Sequence, residues 1–80
     1  MTLLYQDYIE LIGEQVVIIE YQTNNQHAIG RMLMLEKFYN KKYNKLKRAL
    51  KDCEIYHLYE GILTHEILMD YLGKEFKRWN

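Results

Sequence analysis

The hydrophobic positions of this chain change period along its length, and each change marks an element. Leu4, Tyr8, Leu11 and Ile12 recur at helical spacing between Thr2, an N-cap residue, and Gly13, a natural C′ residue. They predict a short N-terminal helix of about three turns, too short to stand without packing. Gln15 to Gln22 (QVVIIEYQ) is rich in β-branched residues and reads as a strand, and His27 to Leu35 (HAIGRMLML) reads as its partner. Asn24-Asn25 between them suits the two central positions of a type I′ turn. That turn pairs Tyr21 with Ala28, Ile19 with Gly30, Val17 with Met32 and Gln15 with Met34. One face of the hairpin then carries Val17, Ile19, Tyr21, Met32 and Met34, almost free of polar atoms. The other is mixed, with Glu20 and Arg31 placed as diagonal neighbours able to pair.

From Leu35 onward the period becomes helical. Leu35, Tyr39, Tyr43, Leu46, Leu50 and Cys53 fall within an arc of roughly 80° at 100° per residue. Lys37, Lys41, Lys45, Lys47, Arg48 and Lys51 lie opposite, with Asn40 and Asn44, while Lys42 sits at the edge of the apolar seam. The pattern fails after Cys53, and Glu54–Glu60 fits a short strand, a helical turn or a buried helix end equally well. After Gly61, Thr64 is placed to cap a last helix with Ile67, Leu68, Tyr71, Leu72 and Trp79 on one face. Asp70 and Lys74 lie i,i+4 on its other side, next to Gly73.

These elements predict one α+β domain spanning 1–80: a short N-terminal helix, an antiparallel β-hairpin, then two helices packed on one sheet face. The alternative is a small β-barrel of the Sm-like type, with later strands drawn from Lys45–Leu50 and Glu54–Leu63. It ranks second because Lys37–Lys51 sorts well at period 3.6 and poorly at period 2.

Composition narrows the class. With 49% hydrophobic and 28% charged residues the chain belongs with folded domains, and its size leaves a core worth only ~3–5 kcal/mol net. The lone Cys53 excludes an intramolecular disulfide. No apolar run approaches a membrane span and no basic stretch precedes an apolar one at the N-terminus, so a cytoplasmic location is expected. Tyr, Lys, Ile and Asn are abundant and Pro and Ser are missing, a composition common in AT-rich genomes and small mobile-element proteins.

Charge alters the picture most. The formal net charge of zero averages three unlike stretches. Met1–Glu36 has five acids and one base, and Lys37–Lys51 has seven bases and no acid. Asp52–Asn80 then has six acids and three bases. Such segregation attracts an anionic surface to one side of the molecule and repels it from the rest.

The candidate chemistry is otherwise sparse. Cys53 and His57, i,i+4 on a helix, would offer two metal ligands or a thiol beside a base. A buried thiol beside a hydrogen-bonded histidine is the favoured explanation, since no CxxC, HExxH or EF-hand spacing supports a metal. The four glycines are dispersed and make no phosphate loop, and Glu66 with Asp70 reads as a solvated pair. The expectation is therefore a non-enzymatic protein without cofactor or metal. Its partner-binding residues are Lys37, Asn40, Lys41, Asn44, Lys45, Lys47, Arg48 and Lys51. It is read as an inhibitor or adaptor docking on a nucleic-acid-handling protein through the basic helix; the alternative is a DNA- or RNA-binding regulator using the same helix.

Overall fold

In the computed structural model, which describes residues 5–23 and 28–73, strand β1 (Gln15–Thr23) lies between β2 (Ala28–Leu35) and β3 (Cys53–Ile62) in an antiparallel sheet ordered β2-β1-β3. Helix α1 (Tyr5–Ile9) precedes the sheet, α2 (Glu36–Ala49) links β2 to β3, and α3 (His65–Leu72) follows β3. This is the expected α+β arrangement. The sheet is open, which excludes the barrel, and Lys45–Ala49, assigned to a strand in that alternative, belongs to α2.

The apolar run Val16–Ile19 explains the layering. All four side chains are at most 1% exposed, so β1 is buried on both faces. A strand covered on both sides reads as a continuous hydrophobic run rather than an alternating one. The helices accordingly divide between the faces instead of sharing one. Helix α2 covers Val17 and Ile19 with Tyr39 and Leu46. Helices α1 and α3 cover Val16, Ile18 and Leu33 with Tyr8, Ile9, Ile67, Leu68 and Tyr71.

The hairpin differs from expectation by a register shift of two. Tyr21 lies opposite Gly30 and Val17 opposite Met34, with a bulge between Tyr21 and Gln22. A shift of two preserves side-chain parity, so Val17, Ile19, Tyr21, Met32 and Met34 still share one face. Glu20 and Arg31 become direct opposites and form an ion pair at 3.1 Å. Gly30 accommodates the ring of Tyr21, whose hydroxyl end occupies the space a Cβ would need. Thr2, Leu4, the Asn24-Asn25 turn, His27, Lys74 and Trp79 lie outside the described residues.

The ambiguous Glu54–Glu60 segment is the centre of β3. Helix α2 stops at Ala49, so Cys53 begins a strand rather than continuing the helical seam. Thr64 caps α3 as expected, its Oγ1 accepting the Ile67 N–H at 3.2 Å. Gly73 ends that helix at the C-cap instead of lying within it. Gly13 adopts φ +94°, a conformation that favours glycine. That turn lets its N–H donate to the Leu63 carbonyl at 2.8 Å, tying the start of β1 to the end of β3.

Two tyrosines give the fold a defined alkaline limit. Tyr71 packs against Tyr8 and its hydroxyl donates to the Arg31 carbonyl at 3.4 Å. Burial, then the neighbouring Tyr8, push its pKa well above the ordinary value. Burial also raises Tyr39, with smaller contributions from Tyr43 and Glu60. Below about pH 10 both phenols are protonated whether the chain is folded or not. Above it the unfolded chain loses protons that the folded chain keeps, so stability falls as pH rises. Urea denaturation between about pH 8 and 11 should show this loss, and Tyr71→Phe should flatten it. An equally steep loss in Tyr71→Phe would exclude Tyr71 as its source.

Candidate partner-binding face

Helix α2 packs inward through Tyr39, which is buried, and Leu46, which is half-buried. Lys37, Asn40, Lys41, Asn44, Lys45, Lys47 and Arg48 are all exposed along it, and Lys51 is exposed in the turn that follows. The structure thus gathers all eight residues singled out by spacing on and just beyond one helix. Lys42 is exposed as well and adds a seventh base.

The electrostatics of this face are one-sided. Among the described residues Arg31 forms an ion pair with Glu20 and His57 contacts Glu60, and neither contact involves an α2 base. Lys37, Lys41 and Lys45 follow one another at i,i+4, a like-charge spacing that costs a few tenths of a kcal/mol per pair. Lys47 and Arg48 in the last turn recover part of that cost through the helix dipole. Glu36 stands at the other end, accepting a hydrogen bond from Gln15 Nε2 at 2.8 Å.

The opposite layer carries the opposite sign. Asp7 in α1, Glu10 just after it, and Glu66 and Asp70 in α3 lie across the sheet from α2, and neither α1 nor α3 contains Lys or Arg. Much of the charge separated in the sequence therefore falls on two faces of the domain, with Glu36 in α2 and Glu60 in β3 left at the margins of the basic side. The β-sheet keeps the basic and acidic layers apart, with α2 on one of its faces and α1 and α3 on the other.

Sequence spacing missed the flank of α2 that faces β3. Spacing puts Tyr43 in the apolar seam, but it is partly exposed, with the Lys47 ammonium 5.2 Å from its ring centroid. Next to it a hydrogen-bonded chain crosses from α2 to β3. The Tyr39 hydroxyl is 2.7 Å from His57 Nε2, and His57 Nδ1 is 2.5 Å from Glu60 Oε1. A neutral imidazole satisfies all three groups: Nδ1–H donates to the carboxylate and Nε2 accepts the phenol proton. These residues, with Asn40 and Tyr43, line a shallow depression of about 350 Å³. The Tyr39–His57–Glu60 contacts tie α2 to β3, and burial raises the pKa of the Tyr39 phenol.

Cys53 and His57 do not meet in the way a helix would allow. Four residues along a strand span roughly 13 Å, against about 6 Å for helical i,i+4 neighbours. His57 is instead engaged by Tyr39 and Glu60. No described helix is long and apolar enough to cross a membrane. Compared with protein-family models, curated proteins and solved structures, the chain matches none of them.

Proposed function

We propose that this chain is a small non-enzymatic interaction protein, an inhibitor or adaptor, that docks through the outer face of α2 on an anionic surface of a nucleic-acid-handling protein or complex. The observation that carries this reading is the segregation of charge onto opposite layers, with seven bases on the α2 side free of ion pairs among the described residues. A face serving only solubility would mix both signs. Here like charges repel along the helix, a cost that an anionic partner relieves. The acidic α1/α3 layer orients the encounter by repelling the same surface. Phe38, 47% exposed, and Tyr43 supply aromatic anchors at the two margins of the basic face.

A second reading, direct binding of DNA or RNA, is favoured by Asn40 and Asn44, which are exposed among the lysines and suited to base edges or phosphates. Six of the seven bases are Lys, which lacks the bidentate geometry of Arg, and this favours the protein partner. Capture of partners from native lysate, with and without nuclease, followed by a salt series separates the two. A protein partner should survive nuclease and weaken only modestly between about 50 and 200 mM salt. A nucleic acid held by six or more phosphate contacts should lose roughly three orders of magnitude over that range. Loss of all captured material on nuclease treatment would overturn the first reading.

A further inference from the structure

We infer that the chain forms a two-fold dimer by pairing β3, edge to edge and antiparallel, with β3 of a second copy. The inference concerns the sheet edge rather than the outer face of α2, and shares with the proposed function only Lys47 and Lys51 at the end of that face. Among the described residues no strand pairs with the outer edge of β3, which is ten residues long. Such an edge is a template for another strand unless something blocks it. The β2 edge differs, because Tyr71 reaches across to the Arg31 carbonyl there.

Helix α2 packs over β1 and β2, leaving a trough between itself and β3. One end, about 270 Å³, is rimmed by Lys47 and Lys51 above Cys53 and Ile55. The other end, about 350 Å³, is bordered by Glu60 beside His57. Neither lysine has an ion-pair partner among the described residues. A uniform polyanion laid along this trough would meet Glu60. A strand that shows an acid on this side at one end only fits beside it, and β3 is itself such a strand, with Glu60 on the α2 face and Glu54 on the other. A two-fold axis perpendicular to the sheet near Leu58 reverses the ends, bringing Glu60 of each copy to Lys47 and Lys51 of the other.

The bulge of β3 falls at this axis, where it sets His57 opposite Leu58 from different faces and leaves regular pairing to the two flanks. Register shifts between Ile18 and Ile19, leaving Leu58 as the extra residue on β3. Cys53, Ile55 and His57 therefore share the α2 face with Glu60 and Ile62 across the bulge. Antiparallel pairing centred there sets Ile55 opposite Glu60 and Cys53 opposite Ile62, same-face residues in each case, and covers Ile62, which is 50% exposed. The two α2 helices would stand four strand spacings apart, roughly 19 Å, beyond the ~8 Å screening length at physiological salt.

Sedimentation equilibrium of the full chain at rising concentration tests this. The wild-type chain is expected to dimerise, and Lys47→Glu with Lys51→Glu, or Glu60→Lys alone, to weaken dimerisation at least about tenfold. An equimolar mixture of the two variants should dimerise again, because each then presents the charge the other lacks. Circular dichroism of each variant alone checks that it is folded, and restored dimerisation in the mixture shows the same independently. A wild-type chain that stays monomeric to about 1 mM, a dimer indifferent to the charge reversals, or a mixture that fails to associate would overturn the inference.

Discussion

Truncating Ile19 to alanine should leave a large fraction of the molecules unfolded at 25 °C. The side chain is fully buried in the core beneath α2, with Val17 and Tyr39. Removing a buried Ile costs ~2–5 kcal/mol, through lost transfer energy and the cavity left behind. A domain this small has only ~3–5 kcal/mol to lose. Ile18→Ala should cost as much, because Ile18 is equally buried in the second core with Leu33, Leu58 and Leu68. The pair is therefore more informative than either variant alone. A sheet with helices on one face predicts a severe Ile19→Ala and a mild Ile18→Ala; helices on both faces predict two severe losses. Urea denaturation followed by circular dichroism measures both. An Ile18→Ala variant within about 0.5 kcal/mol of wild type, the range of ordinary surface changes, would remove α1 and α3 from that face.

The same four residues show where sequence reading succeeds and where it stops. Val16–Ile19 identified a strand because β-branched runs favour extended backbone. The alternate sorting of the hairpin into a clean face and a mixed face survived a register error, since the error was an even number of residues. What the pattern lacked was a partner for the mixed face. Val16, Ile18 and Leu33 are covered by Ile67 and Leu68 from α3, more than thirty positions away, and no local period encodes that contact. β3 was hidden for a different reason. Its bulge at Leu58 breaks the alternation, so both Leu58 and Tyr59 turn toward the same core and the segment matches neither period. Cys53 fell into the helical arc by coincidence of spacing, although the chain turns at Leu50–Asp52 and restarts as a strand. The basic face was legible because every base on it comes from one continuous helix and the turn after it. Its contrast with the acidic layer was not, because that depends on which side of the sheet each helix chooses.

Replacing Lys41, Lys45 and Arg48 together with glutamine should leave folding intact and abolish most binding. All three are exposed on the outer side of α2, away from Tyr39 and Leu46, and none is ion-paired among the described residues. Glutamine is close to Lys and Arg in helix propensity, and the change removes like-charge repulsion between Lys41 and Lys45. The melting temperature is therefore expected to stay the same or rise slightly. Each lost contact to an acidic group weakens binding most at low ionic strength, where screening is least. Affinity for the captured partner should fall at least about tenfold, a loss of ~1.4 kcal/mol. The wild-type chain should also lose more affinity with added salt than the variant, since the variant has fewer charges to screen. Retained affinity with an unchanged melting temperature would mean that the charge run is only a solvated face, and would move the search to the acidic α1/α3 layer. A fall in melting temperature would mean that these side chains also support the helix, and Lys45→Gln alone would then separate binding from folding.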